Sequence, residues 1–524
     1  MALSRRHFFF GTLLAGAVPT GGFGSTPSLK MMGYKSPNEK LNVASIGCGG
    51  KAASDIRGCA ATENIVALCD VDDKSASAIY KQFDKQPKFK DFRKMLDQEG
   101  KNFDACIVTI PDFMHAVAAM ACMERGKHVY VQKPLTRTVW EARMLTEAAA
   151  KYKVATQMGN QGYSNEGTRQ CAEMIWAGEI GGVTEVHAWT NRPIWPQGVT
   201  EIPAPTPVPA TLDWDLWLGC AQQRPYTQGG TGYPAGYANG DFYQPSNWRG
   251  HFDFGCGSLG DMACHILGAP NLALNLSKRA PTSVECVKKE GASSFMFPKQ
   301  CVIRFDFPAY GSMPPLKVFW YDLLKEQPKI AGVPDGEYLG DMPSPARPQG
   351  QARGGGQGGG GGRGGRGGGA GAPQGPRTEG TGQVFTWARM EAVKENPPTT
   401  TSAGANGSLF VGDKGMITTG TYGEGTRLIP VEKMQNYNFP QEVLSRSPGH
   451  YHDWIRACKG GEQACSNFSV AGPFVEWMVL GVVATRVEGK LEWDSSKMKF
   501  TNNAEANKYV KPFYRKGWAP NWKG

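Results

Sequence analysis

The chain has 524 residues, 40% hydrophobic and 20% charged, a globular balance that excludes wholesale disorder; no run of about 18 apolar residues occurs, so a multi-span membrane protein is excluded too. Lysine and arginine outnumber aspartate and glutamate 57 to 47, but the excess gathers at the chain ends and in a Gly/Arg tract, with no basic stripe or reader motif to predict a nucleic-acid partner. The 13 cysteines form no C-x-x-C pair and no His/Cys cluster at zinc spacing, so neither a metal site nor a disulfide framework is expected.

The chain opens with Ser4-Arg5-Arg6-His7-Phe8-Phe9, an apolar stretch from Phe10 to Val18 and a small-x-small site at Gly22-Phe23-Gly24. A basic start, a short apolar centre and small residues fit an export signal. The paired arginines resemble the twin-arginine (Tat) signal, which a receptor reads and which leaves no stable membrane anchor. Residues 1–38 are therefore set apart as signal and linker. The Tat export machinery is the expected partner, and the periplasm or another exported location the expected destination.

From Lys40 the pattern is strand, helix, strand. Strands are predicted at Leu41–Ile46, Ile65–Cys69, Ala105–Thr109, His128–Val131 and Val154–Thr156. Helices are predicted at about Ala52–Ala61, Ser75–Phe83, Phe92–Gln98, His115–Glu124 and Val139–Tyr152. Uninterrupted apolar strands alternating with helices predict a doubly wound parallel sheet over 39–160. After a helical run at Glu166–Ala177 come longer β-type runs at Val183–Thr190, Ser283–Lys288, Cys301–Phe307, Leu316–Tyr321, Ser408–Val411 and Met416–Thr419. They predict a large, mostly antiparallel open sheet within a second α/β domain over 161–524. Helices are expected at Tyr451–Ala457 and Gly472–Arg486. Residues 349–376 are mostly glycine, with Arg353, Arg363, Arg366 and some Ala, Gln and Pro, and have no large apolar side chains from which to build a core. They are read as a disordered insertion.

Gly47-Cys48-Gly49-Gly50-Lys51-Ala52 has the form G-x-G-x-x-A, placed after a strand and opening a helix. Gly47 permits the tight turn, Gly49 is expected to let backbone approach a pyrophosphate, and Ala52 keeps the helix close to the sheet. Asp70 ends the second strand at the offset expected of a carboxylate gripping ribose hydroxyls, which favours NAD over NADP, with NADP still possible. Thr109-Ile110-Pro111-Asp112-Phe113-Met114-His115 and Gly126-Lys127-His128 through Lys133-Pro134 both end strands where open α/β sheets place ligands.

These features together look like the Gfo/Idh/MocA oxidoreductases. A further segment, Gly257-Ser258-Leu259-Gly260-Asp261-Met262-Ala263-Cys264-His265, is similar to that family's second hallmark, a D-x-x-x-H helix start. The resemblance implies a Rossmann domain followed by an α/β domain that covers the active site and often builds homo-oligomers. It also implies that Lys133 contacts cofactor and substrate, with Asp261 and His265 as the acid and the histidine. On chemical grounds His265 is read as general base, Lys133 as stabiliser of developing alkoxide and Asp261 as an orienting group. Cofactor contacts are expected from Gly47, Gly49, Gly50, Ala52, Asp70, Thr109, Pro111, His115, Lys133 and Gln161. Two departures stand out: Gln132 replaces the usual glutamate before the lysine, and Gly268 replaces a further carboxylate. Arg192, Trp195, Trp248 and Arg249 are candidates for substrate contact, because aromatic faces beside polar groups suit carbohydrate.

The expected activity is hydride transfer between a nicotinamide cofactor and a sugar, sugar derivative or polyol. Two alternatives stay open: a redox-neutral glycosidase acting through a 3-keto intermediate, and a non-catalytic sugar-binding protein.

Overall fold

A computed structural model describes residues 39–228, 242–291, 293–324, 327–342, 384–395 and 405–522. The expected signal and the Gly/Arg insertion lie outside the described residues. Six strands, β1 (Asn42–Ile46), β2 (Asn64–Cys69), β3 (Lys88–Phe89), β4 (Ala105–Val108), β5 (His128–Val131) and β6 (Thr156–Met158), form one sheet in the order β3-β2-β1-β4-β5-β6. Every pair in it is parallel. The strand order reverses beside β1, which opens a crevice at the carboxyl ends of β1 and β4.

Both faces of this sheet are buried, as its apolar strands require. Val43 and Ile107 point into one core cluster with Ile56 and Ile79, while Ala44 and Val108 point into another with Phe113 and Leu145. The helix Val139–Tyr152 starts with a capping box between Thr138 and Glu141.

The second sheet has nine strands. β7 (Val183–Trp189), β8 (Ser283–Glu290), β9 (Gln300–Phe307), β10 (Leu316–Tyr321), β11 (Gly407–Gly412), β12 (Met416–Thr419), β13 (Arg427–Ile429), β14 (Leu491–Asp494) and β15 (Lys499–Phe500) run in the order β13-β12-β11-β7-β10-β9-β8-β14-β15. Among the described residues of this sheet, only β7 and β10 pair in parallel. Along β9, buried residues alternate with half-buried ones, the period-2 signature of a sheet with one core face.

Two C-terminal helices return to the first sheet. His450–Cys458 brings Tyr451, Trp454 and Ile455 into the cluster around Val43 and Tyr130. Phe468–Met478 lies against Val139–Tyr152, where Arg143 grips Glu476 through Nε (2.8 Å) and Nη2 (2.5 Å). The sequence predicts one helix over Gly472–Arg486, but the chain forms two, Phe468–Met478 and Leu480–Ala484. The last strand of the parallel sheet also begins two residues later than expected. Gln157 is polar but fully buried, and its Nε2 donates to the His450 carbonyl at 2.7 Å; that distant partner lets the strand run to Met158.

Candidate functional site

β1 ends at Ile46 and the chain turns into the helix Lys51–Ala60. Gly47 has φ +93°, and a side chain there would stand 2.0 Å from the Thr109 carbonyl oxygen, so only glycine fits. Gly49 departs from expectation. A Cβ at Gly49 would meet Ser75 Oγ at 1.9 Å, so packing, and not an approaching pyrophosphate, takes up its missing side chain. The open position is Gly50, with φ +53° and nothing within 4 Å of a would-be Cβ. Gly50 precedes a helix whose start carries no side-chain cap, the kind of terminus that suits a phosphate. Ala52 is fully buried against the sheet.

Asp70 closes β2 and pins the loop: its carboxylate accepts from the backbone N–H of Cys48 (2.8 Å), Gly49 (3.3 Å) and Asp72 (2.9 Å). Burial raises its pKa against those three donors. An uncapped helix start, open space at Gly50 and an acid at the end of β2 fit a dinucleotide.

The other expected cofactor residues divide. Pro111 leads into the helix Asp112–Met123. Thr109 donates from Oγ1 to the buried Asp55 carboxylate at 2.9 Å. Gln161 accepts from Lys51 Nζ at 3.1 Å and donates to the Gly159 carbonyl at 3.0 Å. His115 is fully buried, and both its ring nitrogens lie 2.7 Å from carbonyl oxygens, Nδ1 from Pro134 and Nε2 from Ile110. It braces the Lys133–Pro134 turn from behind and has no nitrogen left for a cofactor. Burial pulls its pKa down to about 4 even though those carbonyls favour protonation.

Lys133 follows β5. Its Nζ donates to Asp261 twice, to Oδ1 at 2.8 Å and to the main-chain carbonyl at 2.7 Å. Arg249 Nε donates to the same Oδ1 at 3.1 Å. Asp261 sits in a π-helical turn, Leu259–Ala263, of a kind often found at functional sites. The Lys133 and Asp261 side chains are 14% and 13% exposed, so their attraction is far less screened than on a surface. Burial alone would raise the Asp261 pKa, but Lys133 and Arg249 overcome it and hold the carboxyl well below its ordinary range.

One turn on, His265 is 5% exposed, with the Tyr422 ring edge-on at 4.7 Å and no hydrogen-bond partner for Nδ1. Burial first, then the Lys133 charge, lower its pKa well below the usual histidine value, and Asp261 only partly opposes them. Both effects favour the neutral imidazole, whose Nδ1 stands unpartnered.

Sequence reasoning missed two residues here. Asp112, inside the motif that ends at His115, is buried close enough to Lys133, Arg249 and Asp261 for all three to act on it. Burial raises its pKa to about 7 against the pull of Arg249 and Lys133. Tyr422 comes from the segment after β12, and no spacing signal links it to His265. Burial and Asp261 push its hydroxyl to about 12.

The substrate candidates also divide. Arg192 lies close enough to Asp261 and Tyr422 to influence both, and its buried Nε has no hydrogen-bond partner. Trp195 is 4% exposed and donates from Nε1 to Gln197 at 3.1 Å. Trp248 is buried, with the Arg249 guanidinium 4.3 Å above its ring. Neither tryptophan offers the bare face expected of a sugar platform; Trp248 instead supports the arginine that holds Asp261.

Residues 41–160 match a family described as oxidoreductases with an NAD-binding Rossmann fold, and residues 179–294 match the oxidoreductase family's C-terminal alpha/beta domain. A glycosyl hydrolase family 109 protein of Solibacter usitatus is 30% identical over 187 residues, 32% of this chain and 41% of that protein. An inositol 2-dehydrogenase of Salmonella typhimurium is 29% identical over 125 residues, 24% of this chain and 37% of that enzyme. The chain thus spans about two fifths of the length of these curated relatives. Among solved structures, the WlbA dehydrogenase from Bordetella pertussis, in complex with NADH and UDP-GlcNAcA, has a TM-score of 0.50 at 13% identity. The match covers 87% of this chain and 99% of that one and is a likeness of fold.

Proposed function

The chain belongs to the Gfo/Idh/MocA oxidoreductases, and from that premise we propose that it oxidises a secondary alcohol of a sugar, sugar derivative or polyol, or runs the reverse reduction. The observation that carries this reading is the Lys133 ammonium held by the carboxylate and carbonyl of Asp261, one turn from a neutral imidazole with an unpartnered Nδ1. Bound NAD supplies the hydride acceptor. The residues do the rest: the substrate hydroxyl gives its proton to His265 as the carbon gives up its hydride, and a carbonyl results. Lys133 stabilises the negative charge that builds on that oxygen, and Asp261 keeps the ammonium aimed. The Asp70 carboxylate at the end of β2 supports NAD over NADP, since it would repel a 2′-phosphate.

The proposal extends to export through the twin-arginine segment at Ser4–Phe9, with cofactor bound beforehand, and to assembly as a homo-oligomer. The test incubates the purified protein with NAD⁺ and a panel of sugars and polyols and follows cofactor reduction; mass spectrometry of the denatured protein reads any cofactor carried along. A substrate-dependent signal is expected, and its absence across the panel counts against the reading.

The similarity to a glycosyl hydrolase family 109 protein supports a second reading, redox-neutral glycoside cleavage. Release of an aryl aglycone without added cofactor would select it. Should neither assay turn over, with Lys133→Ala and His265→Ala leaving sugar affinity unchanged, a non-catalytic binding protein is left.

A further inference from the structure

The Asp55 carboxylate sits beneath the floor of the cleft with no exposed surface, and four donors converge on it. Oδ1 accepts from Tyr451 OH at 2.7 Å and from the Lys51 ammonium at 3.0 Å. Oδ2 accepts from Thr109 Oγ1 and Gln132 Nε2, both at 2.9 Å. The donors come from the glycine-loop helix, the end of β4, the end of β5 and a C-terminal helix, so a single charge ties together the elements that frame the cleft.

Gln132 passes this constraint on. With its Nε2 committed to Asp55, its Oε1 accepts from the Lys133 backbone N–H at 3.2 Å. Gly159 makes room for the amide: a Cβ there would stand only 2.6 Å from the Gln132 Cδ. An amide can donate on one side and accept on the other; a glutamate in its place would set a second carboxylate against Asp55. Lys51, held on the opposite oxygen, reaches Gln161 at 3.1 Å, and its charge acts on His265.

We propose that Asp55 and Gln132 are a matched positioning pair: one buried carboxylate fixes Lys51 at the cleft and, through the Gln132 amide, the backbone of Lys133. The departure at Gln132 is then no lost charge. The charge stands on the glycine-loop helix, and residue 132 is an amide because Asp55 is an acid. This rests on the NAD-dependent reading of the cleft.

An exchange of the two groups tests it, with NAD⁺ dissociation constants measured by tryptophan quenching in the absence of substrate, so that the result stands apart from the identity of the substrate. Asp55→Asn should weaken NAD⁺ binding about tenfold, because Lys51 and the lysine turn lose their common anchor. Gln132→Glu should do the same, because it sets a second carboxylate against Asp55. The double variant Asp55→Asn/Gln132→Glu puts one acid and one amide back at the junction and should bind within about threefold of wild type, a rescue that loss of packing alone would not give. If Asp55→Asn does not fold, a folded double variant is itself the rescue. A double variant as weak as the worse single, or a Gln132→Glu affinity equal to that of wild type, overturns the proposal.

Discussion

The glycine loop follows β1, the lysine centre follows β5, and the two are held by different means. At the loop, backbone geometry does the holding: Gly47 against the Thr109 carbonyl, the N–H groups of Cys48 and Gly49 on Asp70, open space at Gly50. At the centre, charge does: Asp261 between Lys133 and Arg249, with Asp112 and His265 titrating in their field. A backbone cradle is sensitive first to side-chain volume. A charged centre tolerates changes of volume but not of charge. Substitutions in the two regions should therefore fail in different ways.

The largest effect is expected at Lys133. Lys133→Met keeps most of the volume and removes the cation that faces the developing alkoxide, so kcat should fall about a thousandfold. Affinity for NAD⁺ should fall far less, since the loop, Asp70 and the helix start are untouched. Steady-state kinetics beside a binding isotherm separate the two. Equal losses would mean that the charged centre also carries cofactor binding, and the contrast between the two regions would collapse.

Asp112→Asn comes next and sharpens the contrast through pH. A carboxyl whose folded pKa is raised to about 7 binds more protons in the native than in the unfolded chain between its ordinary pKa and 7. Its contribution to stability is therefore fully present below about pH 4 and is lost as the pH rises through 7. Wild-type melting temperature should drop between pH 6 and pH 8 by a few degrees more than that of Asp112→Asn. Parallel melting curves for the two proteins would remove Asp112 from the titrating centre.

The same division explains what could be read from the amino acids. The first sheet was legible because Ala105–Val108 is apolar throughout and its neighbours largely so, as burial on both faces demands. The glycine turn was legible as a turn, although Ser75 decides which glycine stays open, and that contact forms only on folding. Lys133, Asp261 and His265 were legible through a resemblance, and their partners were not. Arg249 appeared as a substrate contact but grips Asp261, and Tyr422 lies 157 positions beyond His265, in the turn after β12. His115 was assigned to the cofactor because it closes a motif at a strand end; that assignment failed because two backbone carbonyls already hold its ring. Local pattern carries backbone geometry well. It carries electrostatics poorly, since the charges that matter meet across the fold.

Gly50→Ala should have a moderate effect confined to the cradle. Nothing blocks the new methyl, so the cost is that of holding alanine at φ +53° and ψ −121°, a conformation that glycine favours, about 1–3 kcal/mol. The methyl also projects where a phosphate would approach, and NAD⁺ affinity should drop several-fold while the pH profile of kcat keeps its shape. A shifted profile would show that the loop feeds into the charged centre.

The smallest effect is expected at Trp195. Were it a sugar platform, replacing the indole with the smaller ring of Trp195→Phe would raise KM for any carbohydrate substrate. The ring is buried, however, and its Nε1 is spent on Gln197, whose own Nε2 donates to the Pro298 carbonyl at 2.7 Å. Phenylalanine keeps the apolar contact and loses one hydrogen bond, leaving the Gln197 oxygen unpaired, a loss of about 1 kcal/mol of stability. Chemical denaturation should show that loss with an unchanged slope, and KM should stay where it was. A rise in KM with stability intact would return Trp195 to the substrate site and move the boundary between packing and recognition.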